Sequence, residues 1–201
     1  MRLFLVFWLL VGLGFAQTFE EFSKRLENIR SIRVSFIQKV SYPWSPKPEL
    51  SKGVFYAQRG GKLRIEYTQP EKTLIVSDGS RIMVYSPEEK TAIVESLEKN
   101  DSSVISALFL FSKPLSEVFE QVGEIQRENT RVFVLKPRLR DRYFSKVYIE
   151  VLPSGNIKSV RVEEKEGITT TLEFVEVRTN FTPSEELFRV EPPKGATLIG
   201  R

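Results

Sequence analysis

The sequence predicts a mainly β protein with short α-helices, in which a curved antiparallel sheet forms an incomplete, half-open barrel and the helices cover its concave side. Three observations carry that expectation. Gly53 to Pro87 holds four short apolar runs cut apart by turn residues, ten or eleven such runs can be counted along the whole chain, and three segments carry helical spacing. So many strands in one open, strongly twisted sheet are expected to curl. The interior of such a sheet is lined by alternate residues of every strand, and helices over it are its removable wall.

The first sixteen residues stand apart. Arg2 is followed by an uncharged run from Leu3 to Leu13 and by Gly14-Phe15-Ala16, the pattern of a secretory signal peptide cleaved after Ala16. That run falls short of the roughly 20 apolar residues that span a bilayer. Residues 17–201 are therefore expected to form one exported domain. The chain has no cysteine, so this domain must rest on a buried core rather than on disulfides.

The net charge of +4 is spread along the chain with no run of five like charges, which argues against a nucleic-acid partner. Histidine is absent too, which removes the commonest general base and the commonest transition-metal ligand. Adjacent carboxylates such as Glu88/Glu89 and Glu163/Glu164 read as solvated faces, and Ser102, Ser103 and Ser106 have no lysine at helical spacing to activate them. The expectation is a protein without catalysis, metal or cofactor.

In chain order, Thr18-Phe19-Glu20-Glu21 reads as a capping box, and Phe19, Phe22, Leu26 and Ile29 mark the apolar face of the helix it opens. Ile32 to Val40 alternates as a strand. A proline-rich loop, Tyr42 to Pro48, follows, in which Trp44 is expected to fold back on its own strand. Gly60-Gly61 and Asp78-Gly79 supply hairpin turns. Strict alternation over Lys62 to Tyr67 puts Leu63, Ile65 and Tyr67 on a dry face and Lys62, Arg64 and Glu66 on a wet one.

After a short strand at Thr91 to Val94, Asn100 to Ser103 is a helix start, and Val104 to Phe111 is apolar almost all round. Such a helix is either buried in the core or covers a hydrophobic hollow and exchanges that contact for a ligand. Pro114 to Glu120 gives another short helix, and five strands follow between Val122 and Val177, with a basic loop at Pro137 to Arg142. A last short strand is expected at Leu187 to Val190, before an extended tail, Glu191 to Gly195, suited to a sheet edge.

From Phe36-Ile37-Gln38 to Phe188-Arg189-Val190-Glu191-Pro192-Pro193-Lys194-Gly195 the chain resembles the LolA family of periplasmic lipoprotein carriers. The match is densest in Gly53-Val54-Phe55-Tyr56, Arg59 before a turn, Leu63-Arg64-Ile65-Glu66-Tyr67, Gln69-Pro70, Leu74 to Gly79 and Tyr85-Ser86-Pro87. The resemblance implies a helical lid over a hydrophobic cavity for the acyl chains of lipoproteins. An inner-membrane ABC-type complex would release these lipoproteins, and a monomeric carrier would hand them to an outer-membrane acceptor. It implies that Arg59 is the lid latch, that Leu63, Ile65, Tyr67, Leu74 and Val76 line the cavity, and that Val104, Ile105, Leu108 and Phe109 belong to the lid helix. Leu63 matches a position near the cavity mouth linked to cargo handover. Gly60 stands where the family has proline, and Ile65 where a bulky aromatic is usual. The competing reading is an exported sensor on the same scaffold that binds a lipid or lipoprotein-like signal and controls a membrane partner.

Overall fold

The Thr18 hydroxyl accepts a hydrogen bond from the Glu21 amide at 3.2 Å, and the Glu21 carboxylate accepts one from the Thr18 amide at 2.8 Å. Helix α1 (Phe19–Glu27) thus starts with two orphan donors satisfied reciprocally. It is the first element of a computed structural model that describes residues 18–96, 114–138, 144–164 and 166–199. The expected signal segment lies outside the described residues.

Twelve strands follow: β1 (Ser31–Ser41), β2 (Glu49–Gln58), β3 (Lys62–Gln69), β4 (Thr73–Asp78), β5 (Arg81–Ser86), β6 (Thr91–Ser96), β7 (Phe119–Gln126), β8 (Arg131–Pro137), β9 (Phe144–Val151), β10 (Ile157–Glu164), β11 (Thr169–Thr179) and β12 (Thr197–Ile199). They form one open, curved sheet in the order β12-β6-β5-β4-β3-β2-β1-β11-β10-β9-β8-β7. All neighbours are antiparallel except β12, which runs parallel to β6. Two meanders, β1 to β6 and β7 to β11, are therefore zipped together along β1 and β11. The turns follow from their residues. Gly60 and Gly61 take φ of 91° and 79° between β2 and β3, and the Asp78 carboxylate accepts from the Ser80 and Arg81 amides at 2.9 and 2.8 Å to set the β4–β5 hairpin.

Two elements differ from expectation. The helix expected over Pro114 to Glu120 is a single turn, α2 (Leu115–Val118), because Phe119 already pairs with Pro137 as the start of β7 and is buried. The strand expected at Leu187 to Val190 is instead a 3-10 turn, Glu185–Phe188, closed by Leu187 N to Ser184 O at 3.1 Å and Arg189 N to Glu186 O at 3.2 Å. It packs on β3 and β4, with Phe188 and Val190 buried. Beyond it, β12 gives the exposed margin of β6 a short partner. In the proline-rich loop the Trp44 ring lies 5.3 Å from that of Tyr42 and stays 68% exposed.

The sheet has an inner, concave face that carries α1 and an outer face. On the inner face Phe22, Leu115, Phe119, Phe133, Leu135, Val147 and Ile149 form one buried cluster, and Val34, Phe36, Phe55, Leu63 and Ile65 form a second beside it. A third, smaller cluster of Val76, Met83, Ala92 and Val190 lies on the outer face under the C-terminal segment.

The outer face also buries one carboxylate. Glu150 accepts from Thr130 Oγ1 at 2.7 Å, Ser159 Oγ at 3.0 Å, Lys158 Nζ at 3.2 Å and Arg127 Nη1 at 3.2 Å. Burial alone would push this carboxyl up, but the bonds from Thr130, Lys158 and Ser159 and the Lys158 charge outweigh it and hold the group below its ordinary value. A carboxyl depressed in the folded state contributes stability that is present above its unfolded pKa and lost as pH falls through the folded pKa. Glu150→Gln is expected to cost about 1–3 kcal/mol at pH 7. In urea denaturation at a series of pH values, its deficit against the parent should shrink below about pH 4. A deficit constant down to pH 2 would contradict the assignment.

Candidate functional site: the concave face and the Arg59 cap

Strand register puts one apolar row straight across the inner face. Val34 faces Phe55, Phe55 faces Ile65, Ile65 faces Ile75, Ile75 faces Val84, Val84 faces Ile93, and Ile93 faces Ile199. Phe55 and Ile65 are fully buried, whereas Ile93 and Ile199 are 40% and 49% exposed, so the row opens toward the β6–β12 margin. Adjacent strands lie about 4.8 Å apart, which makes the stretch from Ile65 to Ile199 roughly 19 Å long.

Of the five residues expected to line a cavity, the structure brings Leu63, Ile65 and Tyr67 together on this face, in the second inner cluster. Leu74 and Val76 are corrected. They pair with Glu66 and Arg64 and so point to the outer face, where they pack with Met83, Ala92 and Val190. Ile75 and Ser77 are the β4 residues that share the inner face with Ile65 and Leu63. Tyr67 carries a polar group onto the inner face beside the buried Gln38. Its hydroxyl donates to Gln38 Oε1 at 2.8 Å, and burial pushes its pKa up to about 12, so it stays neutral.

Arg59 follows β2 and reaches α1. Its Nε donates to Ile29 O at 3.0 Å, and its Nη2 to Leu26 O at 3.1 Å and Glu27 O at 2.6 Å. These are carbonyls of the last turn of α1 and of the link after it, at the negative end of the helix dipole, and Leu26 O also accepts from the Ile29 amide at 3.0 Å. The Arg59 amide also donates to Arg30 O at 3.1 Å, so main chain and side chain grip the same link between α1 and β1. Gly60 holds φ at 91°, a value proline cannot adopt, so the turn that aims this arginine differs from an Arg-Pro turn. The expected lid residues Val104, Ile105, Leu108 and Phe109 lie outside the described residues.

On the other side of α1, Phe22 stacks on Phe133 with ring centroids 5.3 Å apart, and Phe19 meets the same ring at 5.5 Å. The helix therefore rests on the β7–β10 half of the inner face, while its end is fixed to the β2–β3 hairpin of the other half. It bridges the two arms of the sheet. Among the described residues no helix is long and apolar enough to cross a membrane, and no three metal-ligating side chains converge.

The family model for the outer membrane lipoprotein carrier protein LolA matches residues 27–191, which takes in the α1–β1 link, Arg59 and the whole apolar row up to Ile93. The chain belongs to the LolA family. It is 27% identical over 194 residues to an outer-membrane lipoprotein carrier protein of Dechloromonas aromatica, covering 96% of this chain and 93% of that one. It is also 27% identical over 202 residues to one from Legionella pneumophila, covering 98% of each. Among solved structures, its fold is similar to that of an uncharacterized conserved protein from Thermus thermophilus, with a TM-score of 0.56 at 13% identity, covering 90% of this chain and 98% of that one. A DUF1329 family protein from Desulfovibrio piger matches with a TM-score of 0.51 at 12% identity, covering 85% of this chain and 95% of the other. Within the LolA frame Leu63, Ile65 and Tyr67 of the sequence motif share the inner face while Arg64 and Glu66 point outward, and Arg59 bonds the end of α1.

Proposed function

We propose that this chain is a periplasmic carrier whose concave face takes the acyl chains of lipoproteins released by an inner-membrane ABC-type complex and yields them to an acceptor at the outer membrane. The observation that carries this reading is the apolar row from Phe55 to Ile199, continuous across six strands and graded from buried to exposed, beside a short helix capped by Arg59. Acyl chains gain about 0.8 kcal/mol for each buried CH2, so binding is the easy half of the task. Release is the harder half. Helix α1, seated on the β7–β10 half of the same concave face and held by Arg59 to the β2–β3 hairpin of the other half, offsets part of that gain where cargo must displace its end. Arg59 is thus the latch of the empty form.

Expression of residues 17–201 with an affinity tag in a bacterial periplasm, followed by mass spectrometry of what copurifies, tests the reading. Triacylated lipoproteins are the expected companions. Free lipid alone would overturn lipoprotein carriage and leave a lipid carrier or a lipid-responsive sensor, and an empty protein would overturn all three.

A further inference from the structure

Helix α1 is tied down on both flanks of β1. Arg59 reaches it from the β2 side. On the β11 side the Arg25 guanidinium donates from Nη1 to Ser154 O at 2.7 Å and from Nη2 to Asn156 Oδ1 at 3.4 Å, both in the β9–β10 hairpin. Under this second tie, between helix and sheet, lies a cleft of about 220 Å3. Leu26 and Ile29 of the α1 end, with Ile32, Ile157, Phe174 and Val177 of the sheet, give it apolar walls, and its exposed polar residues include Arg25, Asn28, Asn156 and Asn180. The cleft lining contains one cation and no carboxylate, and Arg25 forms no ion pair among the described residues.

We propose that this cleft binds a single-chain anionic amphiphile of the fatty-acid type, with the tail between Ile32, Ile157 and Phe174 and the carboxylate on Arg25. The size fits one chain: the volume exceeds the roughly 150 Å3 cavity that suffices for benzene and is too small for the several chains of a lipoprotein anchor. The charge fits an acid. A guanidinium offers five N–H donors in a fork that matches a carboxylate, and Arg25 commits two of its nitrogens to neutral oxygens that a carboxylate would replace with stronger, charge-assisted bonds. The hydroxyl of an uncharged lipid would accept from Arg25 or the asparagines with one oxygen and no charge, where a carboxylate offers two oxygens and a full charge. The proposal does not rest on lipoprotein carriage, because its ligand is anchored by Arg25 rather than by the row from Phe55 to Ile199.

The test uses the chain from Gln17 onward, which contains every described element, labelled with 15N and titrated at pH 7 with decanoate and separately with decanol while amide shifts are followed. Decanoate is expected to give saturable shifts at Gly155, Asn156, Thr179 and Asn180 and to bind at least about tenfold more tightly than decanol. Arg25→Gln should bring decanoate down to the affinity of decanol, and Val177→Trp, which fills the cleft from its open side, should remove the cleft shifts for both ligands. Thermal melting of each variant reports that the fold is kept. Equal affinity for acid and alcohol, undiminished decanoate binding by Arg25→Gln, shifts confined to the Leu63 to Tyr67 face, or no binding at all would each overturn the proposal.

Discussion

Replacing Phe22 with alanine is expected to destabilise the protein by about 3–5 kcal/mol and to free α1 from the sheet. A nine-residue helix is too short to be stable by itself in water, so α1 exists because its apolar face is buried. Phe22 is the centre of that face. It is fully buried, stacks on Phe133 and shares the cluster of Leu115, Phe119 and Leu135. Its removal leaves a cavity that the surrounding strands, held in register by their ladders, cannot collapse to fill. Urea denaturation should show a lower midpoint, and hydrogen exchange should show the amides at the end of α1 opening well before those of β8 and β9. A loss below about 1 kcal/mol would mean that α1 is not packed as described.

Arg59→Leu is expected to act locally instead. The variant keeps an aliphatic side chain but strips the α1 end of three hydrogen bonds, from a charged donor to carbonyls at the negative end of the helix dipole. A loss on the order of 2–3 kcal/mol in the docking of that end corresponds to roughly 30- to 150-fold faster exchange of its amides, with little change in the exchange of β3 or β9. Arg59→Lys should recover part of the effect, since one ammonium cannot span three carbonyls as the guanidinium fork does. If Arg59 is the latch of the empty form, the leucine variant should also retain its lipoprotein cargo longer when an acceptor is offered. An arginine that merely decorates the β2–β3 hairpin would leave exchange and cargo release unchanged.

Where one face of a segment is wet, the sequence was legible. The capping box at Thr18 and Glu21, the glycine turn at Gly60-Gly61 and the alternation of Leu63, Ile65 and Tyr67 all stand in the structure as their residues imply. Strand β4 was not legible in the same way. Thr73-Leu74-Ile75-Val76 is apolar on both faces because the C-terminal segment with Phe188 and Val190 covers the outer side, so composition could not say which parity faces inward. Register settles it in favour of Ile75. The 3-10 turn at Glu185–Phe188 escaped for a related reason, since one buried aromatic followed by a buried valine two residues on reads as strand alternation. The site itself was only half visible. Arg59 bonds to backbone oxygens, and main-chain acceptors leave no mark in a side-chain pattern, so only the family resemblance points to this residue in the sequence. The Arg25 tie spans 129 positions to Ser154 and the Glu150 network joins the β7–β8 turn, β9 and β10, contacts that only the assembled sheet brings about.

The central claim is that cargo lies on the inner face of the sheet. Two tyrosines offer a matched pair of probes, since Tyr67 shares the inner face with Ile65 while Tyr85 pairs with Leu74 on the outer one, and both are partly buried. A photo-reactive phenylalanine analogue placed at each position in turn, in cells producing a triacylated lipoprotein, should crosslink to that lipoprotein from position 67 and not from position 85. Crosslinking from position 85 alone, or equally from both, would contradict the account.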